Sequence, residues 1–334
     1  MEFWDREKEI GYLKRYIQSE PNAILFVYGP KSSGKSTLLM KVVEKLSKRK
    51  RFLNWYKVYW FDLRGKFISS YENVVDMFFM EREVLEDVEE ESGMKLNVLS
   101  FITVESRVKE HMKRKRLDPF EYMERVLKKN KRNVIVFDEL QKLKEVYLNS
   151  PSNQRPLVKE LFNFFVRLTK VLHLSHVIVM TSDTFFIERV YTDSTLKNTS
   201  EYYLVDFFDD DTAFKILKSH GFSDEDARYI VDWIGGVPWM IERVISKGIN
   251  TVKELYEQVK SRVFDFLIDY QSEDEAKKVL KEIVKGDFKL SKENISVVRD
   301  LVEAEILFYD PINMVVKFQT KLDERAAREL LEVN

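Results

Sequence analysis

The sequence predicts an α/β protein in which a parallel sheet flanked by helices is followed by a helical lid and a C-terminal winged-helix domain. Three observations predict this fold. Apolar strand-like runs alternate with helical segments up to residue 207, helical periodicity fills 208–270, and a helix followed by a two-stranded hairpin lies within 271–334. Continuous apolar strands are typical of parallel sheets that are covered on both faces. We therefore expect domains at 1–207, 208–270 and 271–334.

The individual elements follow from short apolar runs and from helical spacing of apolar residues. The predicted strands of the sheet are 23–28, 57–63, 133–137, 176–181 and 202–205. The predicted helices are 5–18, 37–46 after the phosphate loop, 156–172, 210–219, 223–234, 238–247, 251–267, one at the start of the tail from 272, and 293–304. The predicted hairpin strands are 306–309 and 315–318.

Composition limits the class of protein. The 334 residues are 44% hydrophobic and 33% charged, which is typical of a globular chain with more than one core. With 55 basic and 56 acidic residues, the chain has no overall charge that would indicate a nucleic acid or a membrane as partner. The lack of cysteine excludes disulfides and thiolate metal sites. Because the sequence also shows no signal-peptide pattern and no membrane-spanning run, we expect a cytoplasmic protein with no membrane partner.

Residues 29–36 read GPKSSGKS, a complete GxxxxGK[ST] phosphate loop directly behind the first apolar strand. Glycines at its two fixed positions let the backbone wrap closely around a phosphate. We expect Lys35 to reach the β- and γ-phosphates, Ser36 to place its hydroxyl on Mg²⁺, and Thr37 to contact the α-phosphate. The predicted nucleotide-binding residues of this segment are Gly29, Pro30, Lys31, Ser32, Ser33, Gly34, Lys35, Ser36 and Thr37.

Two carboxylates follow the third predicted strand. Asp138 stands where a phosphate loop requires a second Mg²⁺ contact, so Ser36 and Asp138 are the predicted metal residues. Glu139 comes next and is the candidate general base, because a carboxylate there can accept a proton from the water that attacks the γ-phosphate. This pairing favours hydrolysis over phosphoryl transfer to a small molecule. ATP or ADP and Mg²⁺ are therefore the expected cofactors.

The fourth predicted strand ends in Thr181-Ser182-Asp183. Ser182 is the candidate sensor of the γ-phosphate, with Thr181 as the second choice, although Ser and Thr also end strands for turn reasons. Together with Lys35 and Glu139, Ser182 completes the predicted catalytic set. Arg189 and Lys197 could supply a cation to the transition state, but a surface role is favoured for both.

Residues 235–238 read Gly-Gly-Val-Pro and interrupt the helical pattern. Paired glycines followed by a proline indicate a sharp corner before a new helix. Arg243, inside that helix, could face the nucleotide. The same segment can equally be a purely structural corner between two helices.

Several of these motifs together resemble those of the archaeal ATPase family, a branch of the P-loop NTPases between the STAND ATPases and the AAA+ ATPases of the origin recognition complex. The motifs are Phe3-x-x-Arg6-Glu7-x-Glu9, GPKSSGKST, VIVFDELQ, a strand ending in TSD, and GGVP. The resemblance implies that the segment with Phe3 and Arg6 closes over adenine and that Pro238 and its neighbours contact the base or ribose. Many members of that family have a glycine-arginine pair before the fifth strand, whereas this chain has Leu196-Lys197-Asn198-Thr199 there. The resemblance therefore assigns no arginine at this position.

The leading functional hypothesis is an ATP-dependent conformational switch that regulates or assembles an unidentified protein partner and hydrolyses ATP slowly without it. The alternative is a DNA-binding ATPase of the origin-recognition or loader type, in which the winged helix or the basic run 113–116 would contact nucleic acid. Charge disfavours it, because 271–334 holds 11 basic and 14 acidic residues. A small-molecule kinase is disfavoured by Glu139. The oligomeric state stays open.

Overall fold

The computed structural model describes residues 6–48, 56–66, 68, 70–81, 98–130, 132–144, 146–148, 155–194 and 196–332. Phe3, one of the predicted nucleotide-binding residues, lies outside these residues. The chain divides into two compact units. The sheet unit holds residues 7–28 and 35–204, and the C-terminal unit holds 1–6, 29–34 and 205–334.

The sheet unit is built on six parallel strands: β1 (Ile24–Tyr28), β2 (Tyr56–Asp62), β4 (Val98–Leu99), β6 (Arg132–Asp138), β9 (Ser175–Thr181) and β10 (Ser200–Leu204). Their order in the sheet is β10-β1-β9-β6-β2-β4. The expected parallel sheet is confirmed, and its five longer strands lie where the apolar runs predicted them. Strand β9 separates β1 from β6, so the strand before the phosphate loop and the strand that ends in Asp138 are not neighbours.

The helices of this unit are α1 (Glu7–Gln18), α2 (Lys35–Ser47), α3 (Tyr71–Phe78), α4 (Ser106–Lys113), α5 (Pro119–Lys128), α6 (Leu157–Val166) and α7 (Thr184–Thr192). A π-helical segment, Arg167–Val171, continues α6, and a short 3-10 helix, Leu140–Leu143, follows β6. The core next to β6 is aromatic: Phe137 packs within about 6 Å, centroid to centroid, of Phe61, Phe78 and Phe165. Burying such large side chains on both faces of the sheet explains why the strands read as unbroken apolar runs.

Two further strand pairs were not predicted. Strands β3 (Phe79–Glu81) and β5 (Ile102–Val104) are parallel, and β7 (Tyr147–Leu148) and β8 (Arg155–Pro156) are antiparallel. Each strand is too short to show an alternation of apolar and polar residues.

The described part of the C-terminal unit is helical apart from one antiparallel hairpin of β11 (Leu307–Asp310) and β12 (Val315–Phe318). Its helices are α8 (Asp210–Ser219), α9 (Asp224–Ile234), α10 (Pro238–Lys247), α11 (Thr251–Asp269), α12 (Glu273–Lys285), α13 (Ile295–Glu303) and α14 (Lys321–Leu330). Helix α13 leads into the hairpin in the predicted order, and α14 follows it without having been predicted. The winged-helix assignment and the domain boundaries stay predictions.

Within this unit α11 packs on α14, where Arg262 Nη2 donates to Oδ1 of Asp323 at 2.5 Å. Asp323 also accepts from the hydroxyl of Thr320, the residue that caps α14. Asp323 is fully buried, and this burial raises its pKa, while Arg262 and Thr320 act in the opposite direction.

Candidate nucleotide and metal site

The predicted site residues Asp138 and Thr181 stand at the carboxyl ends of parallel strands. Strand pairing aligns Asp138 with Asp62 of β2 on one side and with Met180 of β9 on the other. Thr181 is aligned in turn with Tyr28, the last residue before the phosphate loop. The carboxyl edge of a parallel sheet is where open α/β folds bind ligands. The sheet therefore gathers the ends of β1, β2, β6 and β9 at the expected edge.

Asp138 and Ser36, the two predicted metal residues, are joined by a hydrogen bond. The hydroxyl of Ser36 donates to Oδ2 of Asp138 at 2.7 Å, and Asp138 is only 2% exposed. Burial raises the pKa of Asp138, while the hydrogen bond from Ser36 lowers it. No group of three or more His, Asp or Glu that could hold a metal occurs among the described residues. One carboxylate beside one hydroxyl fits Mg²⁺, which takes few protein ligands and completes its shell with water and phosphate oxygens.

Lys35 is the first residue of α2 and its side chain is buried. Burial lowers the pKa of Lys35 to about 8, although the nearby charges of Glu139 and Asp138 oppose this shift. Burial removes the water that would stabilise the charged ammonium of Lys35. The oxygens of a bound phosphate would replace that stabilisation, so this position favours an anionic ligand.

The loop residues before Lys35 have the backbone that a phosphate cradle requires. Gly34 has a φ of 89° and Ser32 has a φ of 60°, both in the left-handed region. Gly34 meets this requirement because it has no Cβ, and Ser32 adopts it at a steric cost.

Glu139 also has a left-handed backbone, with a φ of 65°. Its carboxylate accepts from Gln141 Nε2 at 2.5 Å and from the hydroxyl of Ser182 at 3.4 Å. Thr181 instead donates to Oε1 of Gln141 at 2.8 Å. Of the two sensor candidates, Ser182 is therefore the one whose hydroxyl reaches the candidate general base. A bulky residue held in this backbone region is strained, and such strain is concentrated at functional sites.

Three residues of this edge were not singled out from the sequence: Asp62, Arg64 and Gln141. Arg64 Nη2 lies 3.2 Å from Oδ2 of Asp138, and its guanidinium is held by two hydrogen bonds to the carboxylate of Asp62. The sequence signal was present, since β2 ends in Asp62 as β6 ends in Asp138. It could not be read without knowing that the two strands are paired in register.

Arg6 is buried in the C-terminal unit. Its Nη2 donates to the carbonyl of Ser33 at 3.1 Å and to that of Asp206 at 2.9 Å. Its guanidinium also stacks over the ring of Phe208, 4.5 Å from the centroid. Arg6 thereby connects the phosphate-loop segment to the chain at 206–208.

Pro238 begins α10 two residues after Gly236, which forms a β-bridge with Phe208. A cavity of about 320 Å³ lies beside these residues within the same unit. Its lining includes Lys31, Ser32, Phe207, Trp239 and Met240. Lys31 also forms an ion pair with Glu305, the residue that precedes the hairpin strand by two positions.

Three of the other cations considered from the sequence contact groups away from this edge of the sheet. Lys113 Nζ pairs with Asp76 at 2.8 Å and Arg114 Nε with Glu110 at 2.6 Å, so half of the basic run 113–116 is neutralised within the fold. Arg243 donates to Gln258 at 3.4 Å. Among the contacts of the described residues, Arg189 and Lys197 do not reach Asp138 or Glu139.

In the described segments, no helix is both long and apolar enough to span a membrane.

Comparisons with known proteins identify the family of this chain. A sequence profile described as an ATPase domain predominantly from Archaea matches residues 3–244. An uncharacterized ATP-binding protein of Methanocaldococcus jannaschii is 37% identical to the chain, covering 99% of this chain and 95% of its own length. A second from that organism is 38% identical, with 99% and 100% covered. One from Pyrococcus abyssi is 31% identical, with 99% of each covered.

Two solved structures share the fold. The Walker-type ATPase of Pyrococcus abyssi superposes with a TM-score of 0.63 at 16% identity and covers 98% of this chain and 96% of its own. The Aeropyrum pernix ORC2 protein gives a TM-score of 0.50 at 10% identity, with 98% and 94% covered. Because the profile matches most of the chain and the relatives match nearly all of it, this chain belongs to the family of ATPase domains found predominantly in Archaea.

Proposed function

We propose that this chain binds ATP and ADP with Mg²⁺, hydrolyses ATP, and acts as a conformational switch on a protein partner. The observation that carries the proposal is the meeting of Ser36 and Asp138, at 2.7 Å, beside the buried Lys35. The names of the relatives from Methanocaldococcus jannaschii and Pyrococcus abyssi support ATP as the nucleotide.

In this proposal the backbone of residues 29–34 surrounds the phosphates, Lys35 neutralises their β- and γ-oxygens, and Thr37 contacts the α-phosphate. Mg²⁺ supplies charge neutralisation on the phosphates, and Ser36 and Asp138 are the residues that would hold it. Glu139 accepts the proton of the attacking water, while Ser182 and Gln141 orient its carboxylate.

For the base, we propose contacts from the segments around Phe3, Arg6 and Pro238. The cavity lined by Phe207 and Trp239 supports this assignment, since aromatic side chains suit a purine ring.

The switch rests on two contacts of the phosphate-loop segment. Lys31 pairs with Glu305, and the carbonyl of Ser33 accepts from Arg6, which also holds the carbonyl of Asp206. A nucleotide that repositions residues 29–34 would therefore change contacts made by the chain after residue 205.

The test separates binding from chemistry with two substitutions. We expect Lys35→Ala to abolish ATP binding, because it removes the cation that faces the phosphates. We expect Glu139→Gln to retain binding but to slow hydrolysis by about 10²-fold or more, because the amide cannot take a proton. Equilibrium binding of a fluorescent ATP analogue and release of inorganic phosphate measure the two steps.

Each substitution has a control of the same residue type: a lysine of the helix that Lys35 begins, and an exposed glutamate. Lys41→Ala removes an exposed lysine of α2 that pairs with Glu44, and Glu121→Gln removes an exposed carboxylate of α5. Both should keep wild-type binding and turnover. Full hydrolysis by Glu139→Gln would contradict the general-base role, and unaltered binding by Lys35→Ala would contradict the nucleotide site.

A further inference from the structure

Arg64 shares one oxygen of the predicted metal residue Asp138. Its Nη2 lies 3.2 Å from Oδ2 of Asp138, the same oxygen that accepts the hydroxyl of Ser36 at 2.7 Å. The buried carboxylate therefore already has a cationic partner in the free protein.

Asp62 fixes the position of Arg64. Its Oδ1 accepts from Nε of Arg64 at 2.9 Å, and its Oδ2 accepts from Nη2 at 2.7 Å, a two-point contact that defines the orientation of the guanidinium. The strands hold this arrangement together, because Asp62 and Asp138 are aligned in the β2–β6 pairing. The amide of Leu63 also donates to the carbonyl of Asp138 at 3.1 Å.

Burial differs sharply between the two partners. Asp138 is 2% exposed, whereas the side chain of Arg64 is 55% exposed. A nearly buried carboxylate without a cation is costly, so the guanidinium compensates Asp138. Because Arg64 keeps both of its bonds to Asp62, it can give up the contact with Asp138 and remain paired.

We propose that Arg64 is an internal counter-ion of Asp138 with which Mg²⁺ competes, so that Arg64 sets the magnesium concentration at which the protein retains nucleotide. This inference rests on the proposed nucleotide site. Arg64 is in this sense a positioning residue that acts through Asp138. The negative charge of Asp138 attracts both the guanidinium of Arg64 and a metal cation. Removing the guanidinium therefore leaves Asp138 with a stronger attraction for the metal.

The experiment measures the Mg²⁺ concentration that gives half-maximal binding of a fluorescent ATP analogue. We expect Arg64→Gln to lower this concentration by about threefold or more, as the removal of one nearby charge predicts. Arg64→Lys keeps the charge and should stay closer to wild type. Arg125→Gln is the matched control, because Arg125 is an exposed arginine paired with Glu121 at 2.5 Å, and it should leave the concentration unchanged.

An unchanged magnesium requirement in Arg64→Gln would overturn the inference. So would a raised requirement, which would show that Arg64 contacts the phosphates instead. If the wild-type protein binds no nucleotide at any magnesium concentration, the proposed function fails separately. In that case, thermal melting without nucleotide measures the competition between Arg64 and Mg²⁺. Mg²⁺ should raise the melting temperature of Arg64→Gln more than that of wild type. Equal shifts in the two proteins would overturn the inference.

Discussion

His176 shows how a single buried residue makes stability depend on pH. It is the second residue of β9, is fully buried, and packs edge-to-face on Tyr16 with ring centroids 5.1 Å apart. Burial lowers the pKa of His176 to about 4, and the charge of Arg132 adds to the shift. The folded protein therefore holds this imidazole neutral at pH values where an unfolded chain would protonate it.

We expect the free energy of unfolding to fall as the pH decreases from about 6.5 towards 4. In that range the unfolded chain binds a proton at residue 176 that the folded protein does not, which costs up to about 1.4 kcal/mol per pH unit. His176→Phe removes the titrating group and should flatten this part of the profile. Urea denaturation at a series of pH values measures it, and parallel profiles for the two proteins would refute the assignment.

At the scale of single elements, much of the architecture could be read from the sequence. Strands β1, β6 and β9 are buried along nearly their whole length, so each appears as a largely apolar run. The phosphate loop and Asp138 could be predicted because their chemistry needs fixed residue types at fixed spacing.

What could not be predicted depends on pairing between distant segments. Arg64 approaches Asp138 only because β2 lies beside β6 in register, and sequence spacing carries no such information. Helix α14 has a strongly amphipathic pattern. It was not predicted because the helices and the hairpin before it already accounted for the expected winged-helix domain. Gln141 was hidden in the same way, since its partners Glu139 and Thr181 come from different strand ends.

The corner before α10 depends on Gly236. A Cβ at this position would lie 1.9 Å from the carbonyl oxygen of Phe208, which is backbone and cannot move aside cheaply. We expect Gly236→Ala to destabilise the protein by about 3 kcal/mol or more, because the bridge between Phe208 and Gly236 cannot form.

Gly221→Ala is the comparison for this substitution. Gly221 has a φ of 89° and open space around it, so an added Cβ costs only backbone strain of about 1–2 kcal/mol. Urea denaturation of the two variants ranks them, and an equal loss in both would show that the close approach to Phe208 is unimportant.

At the scale of the whole molecule, Arg6 and residues 29–34 belong to the C-terminal unit, whose other described residues begin at 205. The phosphate-loop segment is therefore grouped with residues far from it in sequence. The ion pair between Lys31 and Glu305 is one of the contacts within this group.

We expect ATP with Mg²⁺ to change amide hydrogen exchange within 205–332 as well as near the loop, when it is added to Glu139→Gln, in which hydrolysis is blocked. The reason is that residues 31 and 33 contact Glu305 and Arg6. Adding Glu305→Gln should reduce the distant response, whereas Glu324→Gln, which removes the partner of Arg328, should not. A response confined to 24–40 and 132–143 would contradict the switch.

The left-handed backbone of Glu139 has a consequence for engineering and for evolution. Glycine suits that conformation better than glutamate, so Glu139→Gly relieves strain and should raise the melting temperature. A programme that selected this protein for heat resistance alone would thus favour the loss of its candidate general base. A glutamate at this position is what selection for turnover, rather than for stability, would maintain.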